Sequence, residues 1–416
     1  MTHFQNIRAV LRGGPFARYM TGEAISMTGT WMQLMAQGWV MTTLTSSAAM
    51  LGMVNFATGI PMIALTMIGG SFADRYDKRW ILIITQIVQI ILALFIGTLV
   101  GQGRVAIWHI LSVAVVLGIS NSFEMPAASA LVPELVKKEH LATAIAVDRA
   151  IFHGTRLVGP ALAGYVIGAW GTASAFYLNA FSYVALMIAV ASIHPRAKGT
   201  AEEEDQRRTG MKEGWLYVRS DKPTLAMLAL MASITIFVFP VMVVMLPLYV
   251  KNVLHLGPDK MGLLMGAAGT GALVGSIGLL GVQPSMRHRF LLTASIMVVL
   301  ALFGLSRATH FSLAVPCMIL ISLGVSTMVG LSNTVVQERA PGPLRGRVSA
   351  LAGLSFFGIM PFASLGITSL ADAVGIRTAL LLSSIAYAAA ALFILLGPAR
   401  RVTSNSAPLP EVRVGV

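Results

Sequence analysis

Between Arg18 and Asp74 the chain carries a single charged side chain, Glu23. Farther along, Asp148, Arg149, His153 and Arg156 interrupt another apolar stretch. Arg149, His153, Arg156 and Pro160 recur at spacings of four, three and four, which puts them on one face of a helix. Charges in such surroundings are expensive, so they are functional candidates by default. Desolvation disfavours the charged form of a carboxyl group. A carboxyl that alternates between a dry and a wetted cavity can therefore load and release a proton. Glu23 and Asp148 are the candidates for such proton coupling, with His153 behind them. Static pairs, Glu23 with Arg156 or Asp148 with Arg149, account for the same residues equally well. Arg156 itself must meet an acid, water or an anionic cargo.

The elements that hold these residues follow from composition. The chain has 416 residues, 56% hydrophobic and only 11% charged, where a soluble domain carries about 25% charged residues. Lipid must be the solvent for much of it. A run of about 20 apolar residues crosses the hydrocarbon core. Twelve such runs occur, near 16–40, 47–72, 80–101, 105–126, 142–168, 172–193, 224–249, 259–282, 290–306, 311–333, 348–371 and 378–397. The first is too long for a cleavable signal peptide and runs straight into further spans. Twelve crossings place both termini on one side. Of the 30 Lys and Arg, 23 fall in the termini and the loops sharing their side, five lie by opposite-side loops and two, Arg149 and Arg156, lie within a span. The positive-inside rule then predicts cytoplasmic termini. The net charge of +13 is thus a topology signal, and no nucleic-acid partner is expected. The lone cysteine, Cys317, excludes an intramolecular disulfide and a cysteine metal framework.

The chain also repeats itself. At an offset of 210, "MLGMVNF" lies over "KMGLLMG", matching Gly52 to Gly262. At an offset of 204, "FHGTRLVGPALAGYVIGAWGTASA" lies over "FFGIMPFASLGITSLADAVGIRTA", matching Gly154 to Gly358. The expected fold is all-α and membrane-integral, with twelve helices in two pseudo-symmetric six-helix bundles. The expected domains are 1–193, a charged cytoplasmic linker at 194–222, and 223–416. Parallel repeats of this kind suggest a secondary transporter with its cargo held between the halves.

The densest charge knot, "GGSFADRYDKRW" at 69–80, lies between the second and third spans. Holding its five charges at mid-bilayer would cost ~2.5–3.5 kcal/mol each, so it marks a turn outside the membrane. With Gly70, Asp74, Arg75 and Arg79 it resembles the loop signature of the major facilitator superfamily, G-x-L-a-D-R-x-G-R-R, with Phe72 for Leu and Asp77 for Gly. Gly159, Pro160 and Gly164 in the fifth span are similar to the G-P-x-x-G-G signature of that superfamily's proton-exchanging exporters. "GTWMQLMAQGWV", "MPAASALVPELV" and "VVQERAPGPLRGRVSAL" look like the bacterial secretion-effector branch that includes enterobactin-type siderophore exporters. The resemblance implies a multi-pass protein of the bacterial inner membrane, working as a monomer on small amphipathic cargo, with no cofactor and a proton gradient as energy source.

It also implies that Asp74 latches onto the start of the eleventh span near Arg345 and Arg347. Glu124, at the charged end of the fourth span, is suited to pair with Arg75 or Arg79. The same knot read from charge alone is a static topology anchor. Gln33, Gln37, Asn121, Arg156 and Asn179 are the cargo-cavity candidates. The second half is nearly free of in-span charge and rich in methionine (Met227, Met231, Met242, Met245, Met261, Met265, Met297, Met318, Met328, Met360), a flexible wall for apolar shapes. Gly262, Gly266 and Gly269, with Gly271, Gly275 and Gly278, give the eighth span small residues at helical spacing, suited to close packing or to rocking. No H-E-x-x-H, G-x-S-x-G, P-loop or G-x-G-x-x-G occurs, and no metal site or enzyme activity is expected. Export of siderophore-like metabolites or drugs by proton antiport is the leading expectation. A lysophospholipid flippase or other uncoupled facilitator is the rival, and a receptor on a transporter fold is the third.

Overall fold

In lipid a spanning segment must satisfy its own backbone polar groups, which these long apolar runs do as helices. The computed structural model describes residues 10–12, 14–193, 211–279 and 281–397, and among them there is no strand. The first half contains α1 (Pro15–Leu44), α2 (Ala48–Arg75), α3 (Lys78–Gly101), α4 (Ile107–Leu135), α5 (Leu141–Trp170) and α6 (Thr172–Ala191). A short α7 (Met211–Ser220) precedes the second half. There α8 (Lys222–Phe237) passes through a π-helical turn, Pro240–Val244, into α9 (Leu246–Asn252). Then follow α10 (Pro258–Ile277), α11 (Arg287–Arg307) and α12 (Phe311–Arg339). The eleventh crossing is α13 (Arg345–Gly353), a second π-helical turn at Leu354–Gly358, and α14 (Met360–Val374); α15 (Ile376–Leu396) is the twelfth.

The twelve-helix expectation holds. Ten crossings are long and apolar enough to be recognised by length and composition alone. The other two, α1 and α5, are 30-residue helices diluted by the polar residues that make them interesting. Of the span prolines, Pro61 and Pro160 lie inside unbroken helices. Pro240, Pro247 and Pro361 sit in or beside the two broken crossings, where a lost N–H and a clashing ring favour a local rearrangement.

The linker differs from its expectation at its end. Residues 194–210, with Arg207 and Arg208, lie outside the described residues, as does the tail after 397. Residues 211–220 form α7, whose Tyr217 and Val218 are buried against the second half. The Tyr217 hydroxyl donates to the Arg339 carbonyl at 2.7 Å, and Arg339 grips Asp221 through two bonds of 2.8 and 2.6 Å. Asp221 also caps α8, accepting from the Thr224 amide at 3.1 Å. Burial works to raise the Asp221 pKa, but Arg339 and Thr224 outweigh it and hold the carboxyl below its ordinary value. An amphipathic tail on a polar segment is enough to dock it.

Two helix crossings join the halves, and each is one repeat away from the other. In the first, α5 meets α10. A Cβ on Gly262 would stand 2.6 Å from the Pro160 carbonyl oxygen and 2.8 Å from Gly164 Cα, and one on Gly269 would stand 2.7 Å from Leu157 Cα. In the second, α2 meets α14. A Cβ on Gly52 would stand 2.0 Å from Thr368 Oγ1 and 2.9 Å from the Ser364 carbonyl oxygen, and one on Gly59 would meet the Pro361 ring at 2.1 Å. Gly52 and Gly59 become Gly262 and Gly269 at the offset of 210. Leu157, Pro160 and Gly164 become Pro361, Ser364 and Thr368 at the offset of 204. The glycines of the eighth span thus divide by face: Gly262 and Gly269 serve α5, whereas Gly271 and Gly275 back onto the Ile319 and Leu323 carbonyls of α12.

At the end of the bundle opposite the charge knot, the halves are clasped. Asp372, near the end of α14, accepts from the Ser47 hydroxyl and from the amides of Ala48 (2.5 Å) and Ala49 (3.1 Å), and so caps α2. Lys251 of α9 donates to the Thr42 carbonyl near the end of α1. The methionines are mostly packing: Met227, Met231, Met242, Met245, Met261, Met318 and Met328 are buried. The Ser295 and Tyr387 hydroxyls both contact the Met328 sulfur at 3.0 Å. The expected methionine wall lies largely inside helix contacts, because a flexible thioether fills the irregular gaps between helices.

Candidate functional site

The first half places its in-span charges on two levels. Nearest the charge knot, α1 supplies Tyr19 and Glu23, α3 supplies Gln86 and Gln89, α4 supplies Asn121 and Glu124, and α5 supplies Asp148. Tyr19 lies one helical turn before Glu23 and within hydrogen-bonding reach of its carboxylate, while Glu124 and Asp148 are near enough to repel it. Glu124 does not reach for Arg75 or Arg79. Its two oxygens accept from Gln86 Nε2, at 2.7 Å, and from Gln89 Nε2. Gln89 also lies 3.3 Å from Asn121 Oδ1 and 3.4 Å from Ser120 Oγ. Arg79 instead donates to the carbonyls of Val190 (3.4 Å) and Ala191 (3.0 Å) at the end of α6, where a cation suits the helix dipole. Glu124 therefore belongs to the acidic level.

The second level lies about 12 Å deeper, since Glu23 to Trp31 and Asp148 to Arg156 are each eight residues of helix. There the Arg156 guanidinium carbon sits 5.5 Å from the Trp31 ring centroid and 6.0 Å from that of Phe239. Trp31 packs edge-on with Phe152 at 5.9 Å, and Phe239 with Phe356 at 4.7 Å. Phe239 immediately precedes one π-helical turn, and Phe356 lies within the other. One break in the second half thus delivers Phe239 to the arginine of the first, and the other supplies Phe356 behind it. Among the described residues Arg156 has no carboxylate within ion-pair distance, so the static Glu23–Arg156 pair is not formed. Cation–π contact is worth ~0.5–2 kcal/mol, less than a buried guanidinium needs. Gly159 makes the geometry possible: a Cβ there would stand 2.6 Å from Trp31 Cβ and 2.8 Å from the Thr28 carbonyl.

The remaining sequence candidates divide. Gln33 and Asn179 bond each other at 2.8 Å, both buried in the α1–α6 contact, with Ser182 closing on Asn179 at 2.8 Å. They hold two helices together, and neither faces open space. Gln37 and His153 are half-buried, the latter in ring contact with Phe152 at 5.5 Å. Asp148 faces Arg149 electrostatically, without a close ion pair.

The charge knot works in several directions. Asp77 caps α3, accepting from the Arg79 amide at 2.9 Å, and Lys78 pairs with Glu134 of α4 at 2.6 Å. Asp74, Arg75 and Arg345 are exposed, while Arg347 bonds Glu213 of α7 at 2.5 Å. The close approach belongs to Gly69, whose Cβ would stand 2.0 Å from the Ser122 carbonyl oxygen; a Cβ on Gly70 would meet nothing within 4 Å. Trp31, Gln86, Phe239, Phe356 and Asp372 were not singled out as site residues from sequence. The prolines flanking Phe239 and Phe356 were the available signal for the aromatic pair. Among the described residues no three His, Cys, Asp or Glu are placed to hold a metal ion.

The sequence profile of the family described as transmembrane secretion effector matches residues 7–413. The chain is 25% identical over 374 residues, 88% of it and 92% of the relative, to the macrolide efflux protein A of Streptococcus pyogenes. It is 26% identical over 191 residues, 46% of it and 48% of the relative, to the staphyloferrin A transporter of Staphylococcus aureus. Among solved structures, a bacterial homologue of the human lysosomal transporter Spinster, inward-facing and occupied, superposes with a TM-score of 0.71 at 15% identity, covering 94% of this chain and 98% of that one. At that identity the likeness concerns the fold.

Proposed function

Because the chain belongs to the transmembrane secretion effector family, we propose that it exports small amphipathic organic molecules from the cell by alternating access, in exchange for protons. The observation that carries this reading is the stacking of two polar levels between the helices of the first half. An acidic level of Glu23, Glu124 and Asp148 lies beneath an Arg156 bordered by Trp31 and Phe239. Aromatic faces and a guanidinium without a carboxylate suit a ligand with an apolar body and a polar or anionic group. Carboxylates with no ion-paired cation suit proton loading. The basic face is cytoplasmic by its excess of Lys and Arg, and the clasp through Asp372 and Lys251 closes the other side. Opening outward then requires Asp372 to leave α2 and the basic face to close, with Asp74 approaching the start of α13 as its latch.

The test is efflux of a radiolabelled macrolide from proteoliposomes under an imposed pH gradient. Efflux should follow the gradient and collapse when it is dissipated. Glu23→Gln should lose gradient-driven efflux yet retain macrolide binding. Efflux indifferent to the gradient overturns antiport, and lysophospholipid movement without any gradient would favour a flippase.

A further inference from the structure

Within the acidic level, Glu124 raises a question that the antiport reading leaves open: what balances its charge. Each of its oxygens is held by one neutral amide, and among the described residues no Lys, Arg or His pairs with it. The groups that face it add no positive charge: Glu23 and Tyr19 from α1 and Tyr183 from α6, with Asp148 of α5 acting on the same Glu23 and Tyr19. From α2 the titratable side chains are Asp74 and Arg75, both exposed at the end nearest this level, and no ion pair joins either to Glu124. Glu124 is half-buried, and a carboxylate partly withdrawn from water without a cation is costly, with neutral hydrogen bonds offsetting only part of that.

A second, separate feature points to what supplies the missing charge. Gln86 is fully buried, and its Nε2 is committed to Glu124, but its Oε1 has no hydrogen-bond partner at all. A buried amide oxygen left unsatisfied carries a penalty of about 1–3 kcal/mol. An amide is two-sided: Nε2 only donates and Oε1 only accepts. A carboxylate calls for the first, and a carboxylic acid, which carries an O–H, can use the second.

We infer that Glu124 is a proton-carrying residue and that Gln86 is its two-way partner. In the deprotonated state Gln86 donates through Nε2, as seen here. When Glu124 takes a proton from water, its new O–H donates to Gln86 Oε1 after the amide turns over, and the orphaned oxygen is satisfied. Release reverses both steps, returning one proton to water and Nε2 to the carboxylate. Gln89 holds the other carboxyl oxygen throughout. Coupling of this proton to cargo rests on the antiport reading; the protonation itself does not.

Infrared difference spectroscopy on the purified full-length protein reads the protonation directly, with the proton as the only ligand. On acidification a carboxylic-acid C=O band should grow, and Glu124→Gln should remove one component of it. Gln86→Leu keeps the carboxyl and should move the midpoint of that component by about one pH unit, a tenfold change in proton affinity. The pH profile of macrolide efflux should move in the same direction. Glu124→Asp should restore part of the band. A band unchanged in Glu124→Gln, in protein that still binds macrolide, overturns the inference and makes Glu124 a structural residue. If that component is lost while wild-type efflux ignores the pH gradient, the proton site stands and the antiport reading falls.

Discussion

The two crossings that join the halves occupy corresponding positions in the repeat and are packed differently. At the α5–α10 crossing the atoms nearest Gly262 are the backbone of Pro160 and Gly164. One repeat away, at the α2–α14 crossing, the nearest atom to Gly52 is the Thr368 hydroxyl, with backbone behind it. The first is backbone on backbone, dominated by close van der Waals contact. The second is cushioned by a side chain and terminates in a polar clasp, because Asp372 caps α2. The positions that Ser47 and Asp372 map to are Gly257 and Gly168, so the α5–α10 crossing has no counterpart of that cap. A contact of the first kind suits a pivot, which changes angle without separating. A contact of the second kind suits a gate, since its hydrogen bonds can be exchanged for water.

Substitutions can break or sharpen this contrast. The largest effect is expected at the pivot. Gly262→Ala forces a methyl against carbonyl and Cα atoms, and overpacking of this kind costs about 1–3 kcal/mol. The unfolding midpoint in detergent should fall accordingly, and no single side-chain truncation opposite should restore it. Gly52→Ala should be milder, and pairing it with Thr368→Ala should recover most of the loss. Equal losses and equal rescue at both crossings would abolish the distinction.

Next in size is a control remote from both crossings. Asp221→Asn weakens a pair of bonds between a buried carboxylate and a partly exposed Arg339, worth about 1.5 kcal/mol, loosening α7. The carboxyl is held below its ordinary value in the folded protein. Its contribution is therefore complete above the ordinary carboxylate range and is lost as pH falls through the depressed folded value. The difference between wild type and variant should accordingly be largest at neutral pH and shrink on acidification. A difference independent of pH would mean that the pair does not act through charge.

The smallest effect is expected at the gate. Asp372→Asn leaves an amide in place of a carboxylate at a helix N-terminus, a change of ~0.3–1 kcal/mol. Hydrogen exchange at the Ala48 and Ala49 amides should quicken about two- to fivefold, with the unfolding midpoint nearly unchanged. If exchange there does not move, Asp372 is a passive cap, and the clasp lies in Lys251 and its neighbours.

How much of this was legible beforehand can be argued residue by residue. Gly52 and Gly262 announced the repeat, and the structure gives them equivalent jobs, because a close crossing leaves no alternative to glycine. Glu23, Asp148 and Arg156 stood out because charge in an apolar run is rare. Glu124 was equally visible but was assigned to the wrong partner, since its place near a helix end fits a basic loop as well as a cavity. Only the α3–α4 packing brings Gln86 and Gln89 onto it. Gln33 and Asn179 were cavity candidates as polar residues inside apolar spans of the first half. They prove to satisfy one another, a pairing that one-dimensional spacing cannot register.

By itself the sequence determined that this chain lives in lipid as twelve helices in two related halves, because twenty-residue apolar runs and the distribution of lysine and arginine leave few other solutions. It also determined which side chains would be costly to bury. Only the tertiary structure decided where those side chains meet: three carboxylates from three helices on one level, and an arginine between Trp31 of its own half and Phe239 from a broken helix of the opposite half. Solvation of a segment is a local property that composition records. The partner of a charge is set by how helices far apart in the chain are rotated and pressed together, and no single segment carries that information.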